Sequence, residues 1–226
     1  MTTSTQPDRA VSGSALGTRY SPLTVRRLGI APYEQIWHKM QEFTATRTPT
    51  TPDEVWLLQH PPVYTLGIAG RTEHLPRHAN AIPVLKVDRG GQVTYHGPGQ
   101  LVLYALIDLR RMGIGVRALV RTLEQSVIDL LAEYAIHAQR RHGAPGVYVD
   151  DAKIAALGLR IRNGCSYHGL SFNVEMDLAP FSDIDPCGYA GLRVTQARDL
   201  GIRDSLDTLG ENLLSSLRSK LESDLK

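Results

Sequence analysis

The chain is poor in cysteine: 226 residues contain only Cys165 and Cys187, too few for a disulfide framework or a four-thiolate zinc site. No run of about 18 apolar residues occurs, which excludes a spanning helix. An excess of either charge is also missing, with 25 Lys and Arg against 23 Asp and Glu and a net charge of +2. There is therefore no bulk attraction to nucleic acid or to an anionic membrane. The first residues, rich in Ser, Thr, Gly and Ala, have neither a basic start nor an apolar stretch, so no signal peptide or anchor is read there. The expectation is a disordered tail over 1–20, one domain over 21–226, and a cytoplasmic protein with reduced thiols. No internal repeat and no low-complexity linker interrupts it.

Glycine, by contrast, is concentrated in one run. Arg89-Gly90-Gly91-Gln92-Val93-Thr94-Tyr95-His96-Gly97-Pro98-Gly99-Gln100 holds four glycines and one proline in twelve residues. Such a run means backbone in turns or pressed against something, and its Arg, Tyr and His are side chains that contact ligands. It leads straight into the apolar stretch from Leu101 to Leu109. The reading is a binding-site wall, with a decorated hairpin as the alternative.

Hydrophobic periodicity organises the rest. Tyr33, Ile36, Trp37, Met40 and Phe43 recur at helical spacing after Pro32, and Leu119 to Tyr134 and Leu206 to Leu225 carry two more helical stripes. Glu54 to Gln59, Ile82 to Val87, Leu101 to Leu109 and Gly146 to Asp150 read as extended chain. The irregular alternation lacks a βαβ cadence. It predicts an α+β fold with a mixed, largely antiparallel sheet and helices packed on it. The basic cluster Arg140, Arg141 and His142 reads as a solvated turn, with a docking site as the alternative.

Three segments carry candidate chemistry. From Lys153 to Ile161 strict alternation puts Lys153 in one row with Ala155, Leu157, Leu159 and Ile161, where desolvation would lower the pKa of its ammonium. Snorkelling at a strand start is the alternative. Ser166 to Asp177 alternates likewise, which assigns His168 to the apolar row of Leu170, Phe172 and Val174 as a core histidine. Cys187 stands in a turn between Pro186 and Gly188, a mounting that suits a nucleophile. Cys165, also at a turn, stays open. A thiol nucleophile needs a base or cation beside it, and spacing leaves Lys153, His96 and His168 all eligible.

Taken together and in this order, the Arg89 to Gln100 run, Lys153-Ile154-Ala155, His168-Gly169-Leu170 and Pro186-Cys187-Gly188 resemble the lipoyl (octanoyl) transferase family. His60-Pro61-Pro62-Val63-Tyr64-Thr65-Leu66-Gly67 belongs to the same resemblance, which runs from about Leu23 to Gly201. It implies the fold of biotin and lipoate protein ligases, in the class II aminoacyl-tRNA synthetase and biotinyl ligase superfamily. It also implies an enzyme that moves an octanoyl group from acyl carrier protein to a lysine of a lipoyl domain, the first step of endogenous protein lipoylation. Lipoyl-acyl carrier protein is a further implied donor. The implied acceptors are 2-oxoacid dehydrogenase E2 subunits and glycine cleavage H protein, with no cofactor and no metal. Carried over by position, Cys187 is the acyl-accepting thiol and Lys153 its general acid and base. Arg89, Gly90, Gly91, Gln92, Val93, Thr94, Tyr95 and His96 would line the acyl pocket, with Ala156, Leu157 and Gly158 and with Gly169, Leu170 and Ser171.

Three rivals remain open to test. An ATP-dependent lipoate or biotin ligase would share the fold but need no thiol. A module that only binds lipoyl domains or carrier protein would need neither Lys153 nor Cys187. A cysteine hydrolase using His96 or His168 would release free acid.

Overall fold

The computed structural model describes residues 23–78, 80–185 and 191–223. The tail expected over 1–20 and Cys187 with its neighbours lie outside the described residues. The strands are β1 (Thr24–Ile30), β2 (Glu54–Gln59), β3 (Val63–Leu66), β4 (Val84–Lys86), β5 (Val93–His96), β6 (Gln100–Leu106), β7 (Gly146–Val149), β8 (Ala152–Arg162) and β9 (Cys165–Asn173). The helices are α1 (Tyr33–Thr46), α2 (Leu109–Met112), α3 (Val116–Ala132) and α4 (Leu206–Ser223).

Six strands form a sheet in the order β1-β2-β6-β9-β8-β7, and three form a smaller one in the order β4-β3-β5. Only the β1–β2 and β3–β4 pairs are parallel; the others are antiparallel. The fold is thus α+β with a mixed, largely antiparallel sheet, as the sequence predicts. All seven residues of β6 are buried, because both of its faces are covered. Leu101, Leu103 and Ala105 pack with Val55 and Leu57 under α3 and α4, while Val102, Tyr104 and Leu106 pack with Trp56 and Leu58 under α1. The period of two decides which half of each strand meets which layer.

The apolar run after the glycines ends as strand at Leu106, earlier than Leu109. Asp108 stops it: its carboxylate accepts the N–H groups of Arg110 and Arg111 and caps α2. The basic cluster is engaged within the chain. Arg140 pairs with Glu124 at 2.9 Å, and Arg141 pairs with Asp151 and stacks 4.5 Å from the Tyr148 ring centroid.

Candidate active site

A cleft opens between the large sheet and the glycine-rich loop, with about 720 Å³ of space including its mouth. Its floor is the outer row of β9 and β8, where Ser171 lies opposite Ala156 and Gly169 opposite Gly158. On the other side of β9, Gln100, Val102 and Tyr104 of β6 lie opposite Asn173, Ser171 and Gly169. The small sheet supplies the roof through Arg89, Gly91, Gln92, Val93, Thr94 and His96.

The roof seats on the floor by direct backbone contact. Gly90 donates its N–H to the Leu159 carbonyl at 2.9 Å. A Cβ on Gly158 would lie 2.8 Å from the Gly90 oxygen and 3.2 Å from Arg89 Cδ, so only glycine lets loop and strand meet. Gly90 itself therefore holds the loop down without lining the cleft. Tyr95 also faces elsewhere, its ring packed with Tyr64 and edge-on to Phe181. The other expected wall positions all line the cleft, Ala156, Leu157, Gly158, Gly169, Leu170 and Ser171 among them.

Arg89 braces the loop from inside. Its Nη2 donates to the Thr65 carbonyl at 2.7 Å and to the Gln92 carbonyl at 2.8 Å, and its Nη1 to the Gly90 carbonyl at 3.0 Å. The same guanidinium donates to Thr65 Oγ1. That leaves the Thr65 hydroxyl proton for His96 Nε2 at 3.4 Å, while His96 Nδ1 donates to Gln100 Oε1 at 2.7 Å. Gln100 in turn donates to Asn173 Oδ1 at 2.9 Å, and Asn173 to the Thr195 carbonyl at 3.0 Å. The relay crosses the cleft from roof to floor.

Strict alternation misassigns the two residues of greatest chemical interest. Lys153 is opposite Tyr148, yet Ala155 is opposite Val147, so β8 carries one extra residue there. This bulge turns Lys153 away from the Ala155 row and into the cleft with Ala156 and Gly158. Ile154 and Ala155 both enter the helix-side core instead. His168 takes a left-handed backbone, φ 61°, and faces the cleft, although alternation puts it with Leu170 and Phe172.

Lys153 is 4% exposed. Its Nζ donates to the Pro145 carbonyl at 3.2 Å and stands 5.2 Å from the Tyr148 ring centroid. Gly146, at φ 141°, makes room for it, since a Cβ there would lie 3.1 Å from Lys153 Cε. The backbone of Lys153 is held as well. Its N–H donates to the Arg193 carbonyl at 2.8 Å, and its carbonyl accepts from Thr195 N–H at 3.0 Å.

Histidine and tyrosine rings cluster at the cleft: Tyr33 packs against His60, His96 and His168. Burial drives the His60 imidazole down to about 4, against the opposing pull of the Ala31 carbonyl, and holds His96 well below its ordinary value. Burial likewise lowers His168, although Asp88 pulls the other way. Burial alone would raise the Asp88 carboxyl. Hydrogen bonds from His168, Tyr167, Gln41 and Trp37 outweigh it and keep the group ionised far below the usual carboxylate range. Cys165 is different from all of these: 4% exposed at the start of β9, outside the cleft, with its thiol pushed up by burial. That is the setting of a structural cysteine.

Sequence reasoning missed Tyr33, Val102, Tyr104, Asn173, Phe181 and Val194, which also line the cleft; Gln100, the end of the run read as a wall, lines it too. Tyr33, Val102 and Tyr104 read as core because they sit in apolar rows.

A fold of this topology around such a cleft defines a class. Residues 32–218 match the lipoyl protein ligase A/B catalytic domain. Among solved structures, the chain is similar to a lipoate-protein ligase A bound with ATP, at TM-score 0.72 and 14% identity, covering 90% of this chain and 86% of the other. It is similar to a bi-partite lipoate protein ligase from Thermoplasma acidophilum, studied with its E2 lipoyl domain, at TM-score 0.71 and 16% identity over 89% and 85% of the two chains. A biotin protein ligase from Aquifex aeolicus shares the fold at TM-score 0.54 and 12% identity, over 90% and 70%. Curated relatives narrow the class. An octanoyltransferase from Azoarcus sp. is 62% identical over 87% of this chain and 86% of its own, and one from Dechloromonas aromatica is 61% identical over 89% and 98%. The chain belongs to the octanoyltransferase family of acyltransferases, within the lipoyl protein ligase A/B group.

Proposed function

We propose that the chain transfers an octanoyl group from octanoyl-acyl carrier protein to a lysine of a lipoyl domain through a thioester on Cys187, with Lys153 as general acid and base. The observation that carries this reading is the bulge that turns a buried lysine onto the floor of an otherwise small-residue gutter. A lysine so placed is suited to move protons and unsuited to any packing role.

In the first half-reaction Lys153 takes the proton of the Cys187 thiol. The thiolate attacks the octanoyl thioester, the carrier's C–S bond breaks, and Lys153 returns the proton to the departing carrier thiolate. In the second, the acceptor lysine amine attacks the Cys187 thioester and loses a proton to Lys153. An amide forms, and the proton goes back to the Cys187 sulfur. Thioester exchange is nearly isoenergetic and amide formation runs downhill, so neither ATP nor a metal is called for. Backbone N–H groups, either beside Cys187 or in the glycine-rich segments, would stabilise the tetrahedral oxyanion.

The acceptors that fit are E2 lipoyl domains and glycine cleavage H protein, and the T. acidophilum ligase with its E2 lipoyl domain supports that class. Among the described residues no helix is long and apolar enough to cross a membrane, which agrees with a cytoplasmic enzyme. Mass spectrometry of the enzyme after incubation with octanoyl-acyl carrier protein tests the reading. The expected adduct sits on Cys187 and disappears in Cys187→Ser while persisting in Cys165→Ser; full transfer by Cys187→Ser overturns the mechanism. Transfer that demands ATP and free octanoate would favour a ligase instead.

A further inference from the structure

We infer that Glu124 is a positioning residue for Lys153, acting on it through the single peptide unit between Pro145 and Gly146. The inference rests on the transferase reading above, in which Lys153 moves protons.

Glu124 lies on α3 and is 5% exposed, between Leu123 and Val127 of the helix-side core. A carboxylate is costly to bury there unless both of its oxygens are engaged, and a well-packed leucine would serve the core as well. Both oxygens are engaged. Oε2 accepts from Arg140 Nε at 2.9 Å, and Oε1 accepts the N–H of Gly146 at 3.0 Å.

That N–H shares a planar peptide unit with the Pro145 carbonyl. One end of the unit meets Glu124, and the other accepts from Lys153 Nζ at 3.2 Å. The orientation of the plane therefore sets where the lysine nitrogen is held. The unit needs an anchor, because Pro145 has no N–H to give and Gly146, at φ 141°, has the conformational freedom of glycine. Upstream, the Tyr148 hydroxyl holds the Ala144 carbonyl at 3.1 Å. Downstream, Glu124 supplies the acceptor for Gly146.

The arrangement suits a residue that must gain and lose a proton. A carbonyl accepts a hydrogen bond from an ammonium and from a neutral amine alike, so it can hold Nζ through both states. A carboxylate in direct contact would favour the ammonium. One intervening peptide unit lets a charged side chain orient the acceptor without itself touching the amine.

The test is a double-mutant cycle on octanoyl transfer from octanoyl-acyl carrier protein to a lipoyl domain, with slow variants followed by mass spectrometry of the acceptor. Glu124→Leu should lower kcat about tenfold, part of the worth of a positioned general base, and leave the donor KM within about twofold. In a Lys153→Ala background the same substitution should change kcat little further, because the group it acts through is gone. Glu124→Gln, which keeps an oxygen for the Gly146 N–H, should recover most of the wild-type kcat. If Glu124→Leu does not fold, Glu124→Asp, whose carboxylate stands one methylene short of Gly146, carries the same expectation. A folded variant with wild-type kcat, a loss that multiplies with that of Lys153→Ala, or a glutamine variant no better than leucine overturns the inference. Wild-type kcat in Lys153→Ala would instead defeat the transferase reading, so the two failures are distinct.

Discussion

Asn173 donates from its side chain to the carbonyl of Thr195 at 3.0 Å, and the N–H of that same residue holds the carbonyl of Lys153. A pocket amide thereby fixes the segment that positions the lysine. Asn173→Leu should leave the Thr195 carbonyl unpaired, at a cost of roughly 1–3 kcal/mol in stability. It should also lower kcat for octanoyl transfer by more than it raises KM. Urea unfolding together with steady-state kinetics checks both; a change confined to stability would remove Asn173 from the positioning relay.

Arg89 carries the roof of the cleft on its fork of donors to Thr65, Gln92 and Gly90. Lysine keeps the charge but cannot reach these acceptors at once. Arg89→Lys should cost about 3 kcal/mol in stability and raise KM for the octanoyl donor. A wild-type melting temperature would contradict the bracing role.

Gly158 is where floor meets roof. Gly158→Ala places a Cβ 2.8 Å from the Gly90 oxygen. The expected result is a lifted loop, a loss of about 1–3 kcal/mol and a raised donor KM, with Cys187 still acylated at saturating donor. Titrating the donor against acyl-enzyme yield separates these outcomes.

Stability should depend on pH through the buried histidines. Each of His60, His96 and His168 has its folded pKa held below the unfolded value, so the unfolded chain binds more protons in acid. Their contribution is complete above about pH 6.5 and is lost as pH falls. For His60, with a folded value of about 4, the loss approaches roughly 3 kcal/mol once the solution is below that value. Urea midpoints measured from pH 8 to pH 4 should fall, and His60→Gln should flatten the slope by one histidine's share. An unchanged slope in that variant would mean His60 does not titrate on unfolding.

Much of the framework was legible in the chain. The bounds of β2 coincide with the apolar run from Glu54 to Gln59, and the stripe beginning at Tyr33 became α1. The glycine run was legible as a wall because glycines at that density have few other uses. The relay through Thr65, Gln100 and Asn173 was not, since its members come from three strands and meet only across the sheet. Tyr33 shares its helical stripe with Ile36 and Met40, and nothing in that spacing separates a ring that lines a cleft from one that fills a core.

The sequence by itself determined the α+β elements, the glycine-rich wall, the candidate lysine and thiols, and the family to which they point. Local pattern suffices there, because periodicity and turn chemistry act over a few residues. Only the tertiary structure decided which way Lys153 and His168 face. One bulged residue and one left-handed residue each reverse the two-residue alternation of a strand, and both departures are sustained by contacts from distant segments: Val194 for Lys153, Asp88 for His168.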